Sequence, residues 1–548
     1  MERPVRFSSC RGVAFEVKPH ADPFAIATPA AQPEPQRSSI SFWPFSSSKV
    51  FPSSIQRSAS KSSSHFCDLE PEEEEDDGDV ILEYIPKDTY DFENQKAVII
   101  PLPSKREQVQ PSKPTRKNGS RLSVILLDQG LFTVYKRLFV LSLTLNITGL
   151  VLAATDQFPY ARNRAALFSI ANILALTLCR SEAFFRVVFW IAVKLLGRPW
   201  VPLLLKTGTT AILQSVGGIH SGCGVSSIAW LVYALILTLK ARDNTSPEII
   251  AVASTILGLL CLSSLAAFPL VRHLHHNVFE RTHRFAGWTA LVLLWAFIIL
   301  TISYDPKSKS YSNHLGSRLI KTQEFWFTIA ITIIIIIPWL TVRRVPVNIS
   351  TASGHASIIK FQGGIKAGIL GRISPSPLSE WHAFGIISDG EKEHMMLAGA
   401  VGDFTRSLVS NPPSHLWVRR VHFAGLPYLV NMYERVLLVA TGSGICVFLS
   451  FMLQPCRADV NLLWVAKGIE QNFGTEIKGM MSGHPKEKVI VHDTAVLGRP
   501  NVSELSVITA KKCNAQVVIV TSNPEGSRGV VNACKKAGIA AFGPIWDS

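Results

Sequence analysis

Charge is what this chain of 548 residues has little of: Asp, Glu, Lys and Arg make up 17% against 47% hydrophobic residues, and mean hydropathy is +0.24. That balance excludes one well-solvated globular domain and points to membrane-spanning segments. Acid is scarcer than base, leaving a formal charge of +15. The basic residues flank apolar runs or are scattered, without a basic stripe interleaved with aromatics. Nucleic acid is therefore excluded as the partner, and the excess reads as charge beside membrane spans. The nine cysteines contain no CxxC and no metal-ligand spacing, which excludes a disulfide framework and a zinc site. The apolar runs also lack the paired acids and broken-helix repeats of a transporter.

Residues 1–131 do not read as a folded domain. Ser-rich "RSASKSSSHF", acidic "DLEPEEEEDDGD" and basic "PSKPTRKNGSR" follow one another. Such blocks of like charge bury too little apolar surface to offset the entropy of ordering. The first 65 residues are Ser-rich and poor in acid. An organelle transit peptide and a solvating or regulatory tail both fit them, whereas no compact apolar core for secretion is present.

Residues 132–344 are expected to form a helical transmembrane domain, an integral bundle of six spans: 138–155, 164–179, 219–239, 248–270, 284–303 and 325–342. Each is near the roughly 20 apolar residues that a bilayer requires. The shorter run 184–200, "FFRVVFWIAVKLLGRPW", carries Arg186, Lys194 and Arg198 and reads as an interfacial or tilted extension of the second span. Arg272, Arg281, Arg284, Arg343 and Arg344 fall on the inner side of this topology, so the C-terminal half is expected on the cytoplasmic side.

Past 344 the texture changes. Residues 345–433 alternate short apolar runs with Gly, Pro and Ser breaks, which predicts a small antiparallel β-barrel. Residues 434–548 interleave strand-like "RVLLVAT", "VNLLWVAK", "KVIVH" and "AQVVIVTS" with helical pieces, which predicts a parallel α/β lobe. Its first strand runs into "GSGICVFLS". A strand, a tight turn at Gly442 and Gly444 and then a helix would aim backbone N–H groups at a pyrophosphate.

The order of membrane helices, barrel and nucleotide lobe resembles the ferric reductase and NADPH oxidase superfamily over 132–548, and its haem-poor branch, such as the fungal Tmp-type membrane oxidoreductases, above all. "EWHAFGI" (380–386) is similar to the family's flavin-binding motif, "VGDFT" (401–405) to its "GDWT", "GSGICVFLS" (442–450) to its glycine turn, "GRPNV" (498–502) to its "GRPN", and "SNPEG" (522–526) stands where the family has "CGP". The resemblance implies a flavoprotein oxidoreductase using FAD and NADPH or NADH. Glu380, Trp381, His382 and Phe384 would then lie at the flavin, Gly442, Gly444 and Ile445 would cradle the dinucleotide, Arg499 would approach a phosphate, and Trp546 would stack on the isoalloxazine or simply close the lobe. Lys467, just past the second strand, stands where a 2′-phosphate would be met. Ala383 and Gly385 replace the family's Pro and Thr, and Phe448-Leu449 replaces its Thr-Pro. These losses at the reaction centre leave a second reading open, a weakened nucleotide-binding scaffold or redox sensor.

The family's two haem-bearing helices each hold two histidines, 13 or 14 residues apart. Counting from His220 reaches Ala234, and from His283 reaches Ala296. The remaining pair, His220 and His283, lies at one level and would hold at most one haem b, or else both are structural. A missing outer haem leaves a gap of about 20 Å, so electrons are expected to stay on the cytoplasmic side or in the inner leaflet, on a small or lipid-soluble acceptor.

Overall fold

The computed structural model describes residues 6–8, 14–16, 133–312 and 315–544. Within the segment expected to lack order, Arg6–Ser8 and Ala14–Glu16 pair as a short antiparallel ladder. The rest of 1–131 lies outside the described residues.

Among the described residues the longer helices that lead into the sheets are α1 (Val134–Ala154), α2 (Ala165–Leu178), α3 (Glu182–Leu196), α4 (Leu203–Gln214), α5 (Gly217–Lys240), α6 (Pro247–Ala266), α7 (His276–Ser303) and α8 (Gln323–Leu340). Among the described residues five are long and apolar enough to cross a membrane: α1, α5, α6, α8 and the Val278–Ser303 part of α7. The sixth expected span, 164–179, is α2, with 14 residues. That is about 21 Å of helix, short of a hydrocarbon core of about 30 Å. Its start is fixed by the preceding turn, where Pro159 opens a separate short helix and Arg164 pairs with Glu324.

Residues 184–200 do not extend α2. The chain breaks at Arg180-Ser181, and the Ser181 hydroxyl accepts from the Phe184 N–H to cap a new helix, α3. Such a cap satisfies one of the orphan donors at a helix start. α3 buries Phe189 and Ala192 in the same core as the sheets.

The small residues of "GGIHSGCG" are used for packing at two positions. A Cβ on Gly218 would lie 2.2 Å from the Tyr135 carbonyl oxygen, and one on Gly222 would lie 2.9 Å from the Ser142 Cβ. α5 therefore meets α1 backbone to backbone, as small residues permit between apolar helices.

Two antiparallel sheets follow. The strands are β1 (Val342–Pro346), β2 (Asn348–Ser353), β3 (Ala356–Gln362), β4 (Ile369–Ser374), β5 (His382–Gly385), β6 (Ile387–Ser388), β7 (Glu393–Gly399), β8 (His415–Arg419) and β9 (Phe423–Ala424), with α9 (Asp403–Ser410) between β7 and β8. One sheet runs β6-β7-β3-β2. The other runs β9-β4-β8-β1, with β5 also pairing β4. Among the described residues no ladder closes them into one barrel. They share a core through Ile359, Ile373, Leu397 and Leu416.

The last region is a parallel sheet of β10 (Arg435–Thr441), β11 (Asp459–Ala466), β12 (Val489–Asp493), β13 (Val517–Thr521) and β14 (Ala540–Phe542), ordered β12-β11-β10-β13-β14. Its helices are α10 (Ile469–Gly479), α11 (Val502–Lys512) and α12 (Pro524–Lys536). Strands covered on both faces read as unbroken apolar runs, and β10 shows why. Val436, Leu438 and Ala440 enter the core of the antiparallel sheets, while Leu437 and Val439 enter a second core with Val520 and Val530. α3, the antiparallel sheets and one face of the parallel sheet are therefore packed as one body.

That shared core holds two histidines. His394 stacks on Phe361 with centroids 5.0 Å apart, and His422 meets His394 edge-on at 5.9 Å. Burial pushes the His422 imidazole down to about 4, with His394 and Arg186 adding repulsion and Glu182 opposing it. The unfolded chain therefore takes up its proton first, so stability is lost as pH falls from the ordinary 6.5 toward 4. The loss amounts to about 3 kcal/mol. The thermal midpoint in detergent is expected to fall across that window, and His422→Phe to flatten the fall. An unchanged slope in the variant would remove His422 as its source.

Candidate functional site

In an open parallel sheet, ligands bind outside the carboxyl ends of the strands, where the strand order reverses. Here the reversal lies between β10 and β13. β10 ends in Thr441 and β13 in Thr521, and the next residues are Gly442 and Ser522. The Thr441 and Ser522 hydroxyls hydrogen-bond at 2.7 Å across this point. Gly442 has φ +53, a left-handed conformation that glycine adopts without strain. Its carbonyl accepts from the Trp464 indole N–H at 2.9 Å, which fixes the turn against β11.

The helix expected after this turn is absent. Gly442–Val447 is a 3-10 run, and a four-residue helix, Ser450–Leu453, follows. The reason is burial. Ile445, Phe448 and Leu449 are fully enclosed in the shared core, and the tighter 3-10 winding keeps this apolar segment against the antiparallel sheets. Cys446, in the same run, is pushed up to about 12 by burial and stays a neutral thiol.

Two exposed cations continue the row along the carboxyl edge, Lys467 after β11 and Arg499 after β12. The Lys467 loop is held by Asp493, whose carboxylate accepts from the N–H groups of Gly468 at 2.8 Å and Ile469 at 2.9 Å. Burial would raise Asp493, but three backbone N–H donors outweigh it and keep the carboxyl below its usual range. Strands lie about 4.8 Å apart, so the edge from Gly442 to the β12 end spans about 10 Å, with the Asp493 carboxylate and the exposed Lys467 and Arg499 at its far side.

Of the flavin-motif residues, His382 lies flat on Phe404 of "VGDFT", with centroids 4.5 Å apart and planes 12° from parallel. The two motifs therefore meet in space. Phe384 and Ile445 are core residues. A Cβ on Gly385 would lie 2.6 Å from the Val447 side chain and 2.7 Å from its backbone. The 3-10 run occupies the place that a threonine at 385 would need. Trp546 lies outside the described residues.

Glu380 and Trp381 face the helices. Glu380 pairs with Arg281 of α7 at 2.8 Å, and Arg284 donates to the carbonyls of Leu378 and Ser379. Burial alone would raise the Glu380 carboxyl, but its backbone N–H and Arg281 hold it low. Trp381 is buried beneath the Arg419 guanidinium, 4.7 Å from the ring centroid. Glu182, in the first turn of α3, takes Arg372 and Arg419 together, the latter at 3.4 Å. Sequence reading missed Glu182, Arg372 and Arg419, for which the one available signal was Glu182, a lone acid opening an apolar helix; it singled out the motifs holding Phe404, Thr441 and Ser522 but not their contacts.

His220 on α5 and His283 on α7 lie with ring centroids 6.4 Å apart. A metal–imidazole bond is about 2 Å and a centroid lies about 1 Å behind its nitrogen, so two imidazoles on one metal ion have centroids about 6 Å apart. His220 Nδ1 is bonded to the Leu176 carbonyl at 3.0 Å, and His283 Nδ1 to the Ser263 hydroxyl at 2.7 Å. Each ring is thus oriented through its Nδ1. His220 and His283 are the residues that would hold a single haem. At the outer level Ala234 packs with an aromatic cluster in which Trp230 stacks on Phe168 at 4.7 Å.

Fold and site together define a parallel α/β lobe behind two antiparallel sheets, fastened to a set of apolar helices. Residues 426–548 match the family model described as "Adenylate-forming reductase 03009, C-terminal domain". Adenylate-forming reductase 03009 of Coprinopsis cinerea is 35% identical over 429 residues, covering 77% of this chain and 41% of that protein. Adenylate-forming reductase 06235 of the same organism is 34% identical over 430 residues, with the same coverages. The chain thus spans about two fifths of the length of these curated relatives. Among solved structures, ferredoxin-NADP+ reductase from Plasmodium falciparum is similar at 8% identity and a TM-score of 0.28, over 37% of this chain and 94% of that one.

The contact at Gly385 gives a direct test. Gly385→Ala is expected to destabilise the protein by about 1–3 kcal/mol through overpacking, and Gly208→Ala, with nothing within 4 Å of its Cβ, to leave the melting temperature nearly unchanged. Equal effects would mean that the 3-10 run is not pressed on β5.

Proposed function

We propose that this chain is a membrane-bound oxidoreductase that takes electrons from NAD(P)H through FAD and delivers them to a small or lipid-soluble acceptor on the cytoplasmic side. The observation that carries this reading is the row at the carboxyl edge of the parallel sheet: Ser522 and Thr441 at the strand reversal, the Gly442 turn, then Lys467 and Arg499. Two sequence relatives named reductases support it. Membrane insertion is supported by the apolar surface of the long helices, where Val140, Leu145, Leu265 and Val292 are all more than half exposed. Surfaces of that kind need lipid or a partner.

In this reading Gly442 and Gly444 leave room for a pyrophosphate, and Lys467 meets a 2′-phosphate. His382, stacked on Phe404, offers an aromatic face to a flavin, and Gly385 offers no hydroxyl. The missing hydrogen bond weakens flavin binding by about 1 kcal/mol. FAD, when bound, supplies the change from two-electron to one-electron transfer. His220 and His283 would hold a single haem, which supplies one-electron storage.

The competing reading, a nucleotide-binding scaffold, is favoured by the 3-10 run that fills the space beside Gly385. The absorption spectrum of the detergent-purified protein separates the two. Flavin bands that bleach with NADPH are expected, with a Soret band that shifts on reduction and is lost in His220→Ala. Flavin bands alone would leave a haem-free reductase, and neither chromophore after reconstitution with FAD would leave the scaffold.

Lys467→Ala is expected to raise KM for NADPH about tenfold, the worth of one charge-assisted contact, with KM for NADH unchanged. Equal changes for both cofactors would remove Lys467 from the 2′-phosphate site.

A further inference from the structure

α3 and α4 form a helical hairpin with two different kinds of apolar contact. The inward face is packed on the sheets. Phe189 and Ala192 of α3 are in the shared core, Arg186 donates to the His422 carbonyl at 2.8 Å, and Thr210 of α4 bonds the Tyr433 hydroxyl at 2.7 Å. Gln214, the last residue of α4, donates to the Gly543 carbonyl at 3.1 Å.

The outward face is also apolar. It presents Val187, Ile191 and Leu195 on α3, Trp200 at the turn, and Leu204 and Ile212 on α4, with Trp200 79% and Leu204 80% exposed. A helix on the surface of a soluble body turns charge outward, whereas one that is apolar all round belongs in a core or a membrane. From Ala183 to Gln214 the hairpin has no acidic residue. Its exposed cations are Arg186, which is turned to the His422 carbonyl, and Lys194 and Arg198, and the Lys194 ammonium sits over the Trp190 ring at 4.8 Å. Tryptophan beside lysine or arginine is the composition of a membrane–water boundary. The hairpin is also joined to apolar helices at both ends, α2 before it and α5 after it.

We infer that the hairpin Glu182–Gln214 is an in-plane foot lying at the headgroup–acyl boundary of the leaflet nearest the sheets. Its outward apolar side chains enter the acyl region, and Lys194 and Arg198 meet the phosphates of anionic lipid. The inference rests on the membrane reading above and adds to it a second mode of attachment. The spans anchor the chain, and the foot fixes the height and tilt of the sheets over the bilayer, because its inward face is part of their core.

Full-length protein reconstituted into vesicles of phosphatidylcholine with phosphatidylserine tests it. A benzophenone amino acid is introduced at one position at a time: Val140 on α1, Leu204 on the foot, and Val496 on the parallel-sheet region, each exposed at its surface. Under illumination, lipid adducts found by mass spectrometry are expected at 140 and 204 and not at 496. The adducts at 204 should contain at least about twice the mole fraction of phosphatidylserine in the vesicle, since each basic residue near an anionic surface attracts it. Lys194→Glu combined with Arg198→Glu should abolish that enrichment and leave adducts at 140 unchanged. Adducts at 140 with none at 204 would overturn the foot and leave the spans intact. A cross-linked dimer through 204 without lipid adducts would also overturn it, by making this face an interface between two copies. Lipid adducts at neither 140 nor 204 would overturn the membrane reading itself.

Discussion

Everything else in the site depends on one carboxylate. Glu182 opens α3 and receives two guanidinium groups, Arg372 from β4 and Arg419 from β8. Its side chain is only 12% exposed, so neither side of this contact can be removed without leaving charge in a place with little water. Breaking such a pair costs about 3–5 kcal/mol, even where replacing the whole pair with apolar groups would cost nothing. The specific gain is geometric. Arg419 is held over Trp381, the residue before His382, so the helices and the flavin-motif strand are indexed to one another through a single charged node. Arg281 and Glu380 repeat the arrangement from α7, the helix that also carries His283.

The substitutions at the reaction centre are connected through packing. Gly385 stands where the resemblance puts a threonine, and Phe448-Leu449 where it puts Thr-Pro. Both changes belong to one contact: the apolar run after the glycine turn winds as a 3-10 segment into the core, and Val447 takes the space at 385. A hydroxyl at 385 could return only if that run withdrew. The two departures from the resemblance therefore meet in a single packing contact. Gly442 opens the same run, and its carbonyl is tied to β11 by the Trp464 indole.

Periodicity was enough to read the parallel sheet, because strands buried on both faces must be apolar along their whole length. It was enough for the long helices as well. It placed the helix at 164–179 to within a residue, though at 14 residues that helix is short for a span, and it missed that 184–200 is a separate helix whose partner is a core formed by residues more than 150 positions away. The 3-10 run was illegible for the same reason: "ICVFL" suits a helix locally, and only the contact with β5 tightens it. Motif order singled out "EWHAFGI" and "VGDFT", and His382 does stack on Phe404. The charged node at Glu182 was hidden, because its meaning lies in two arginines that the sequence separates from it and from each other.

The helices hold polar contacts at two levels. His220 and His283 face each other with centroids 6.4 Å apart, and each ring is oriented by its Nδ1 partner. One level further out, α5 is packed against α1 and α2. Trp230 is 1% exposed, stacks on Phe168 and donates to Asn146 Oδ1 at 3.0 Å, and Asn172 donates to the same oxygen at 2.7 Å. A polar pair satisfied in this way inside an apolar bundle is costly to disturb, because each group freed would be left without a partner. The face of α5 that carries Ala234 is therefore fixed against α1 and α2 by contacts that hold one another.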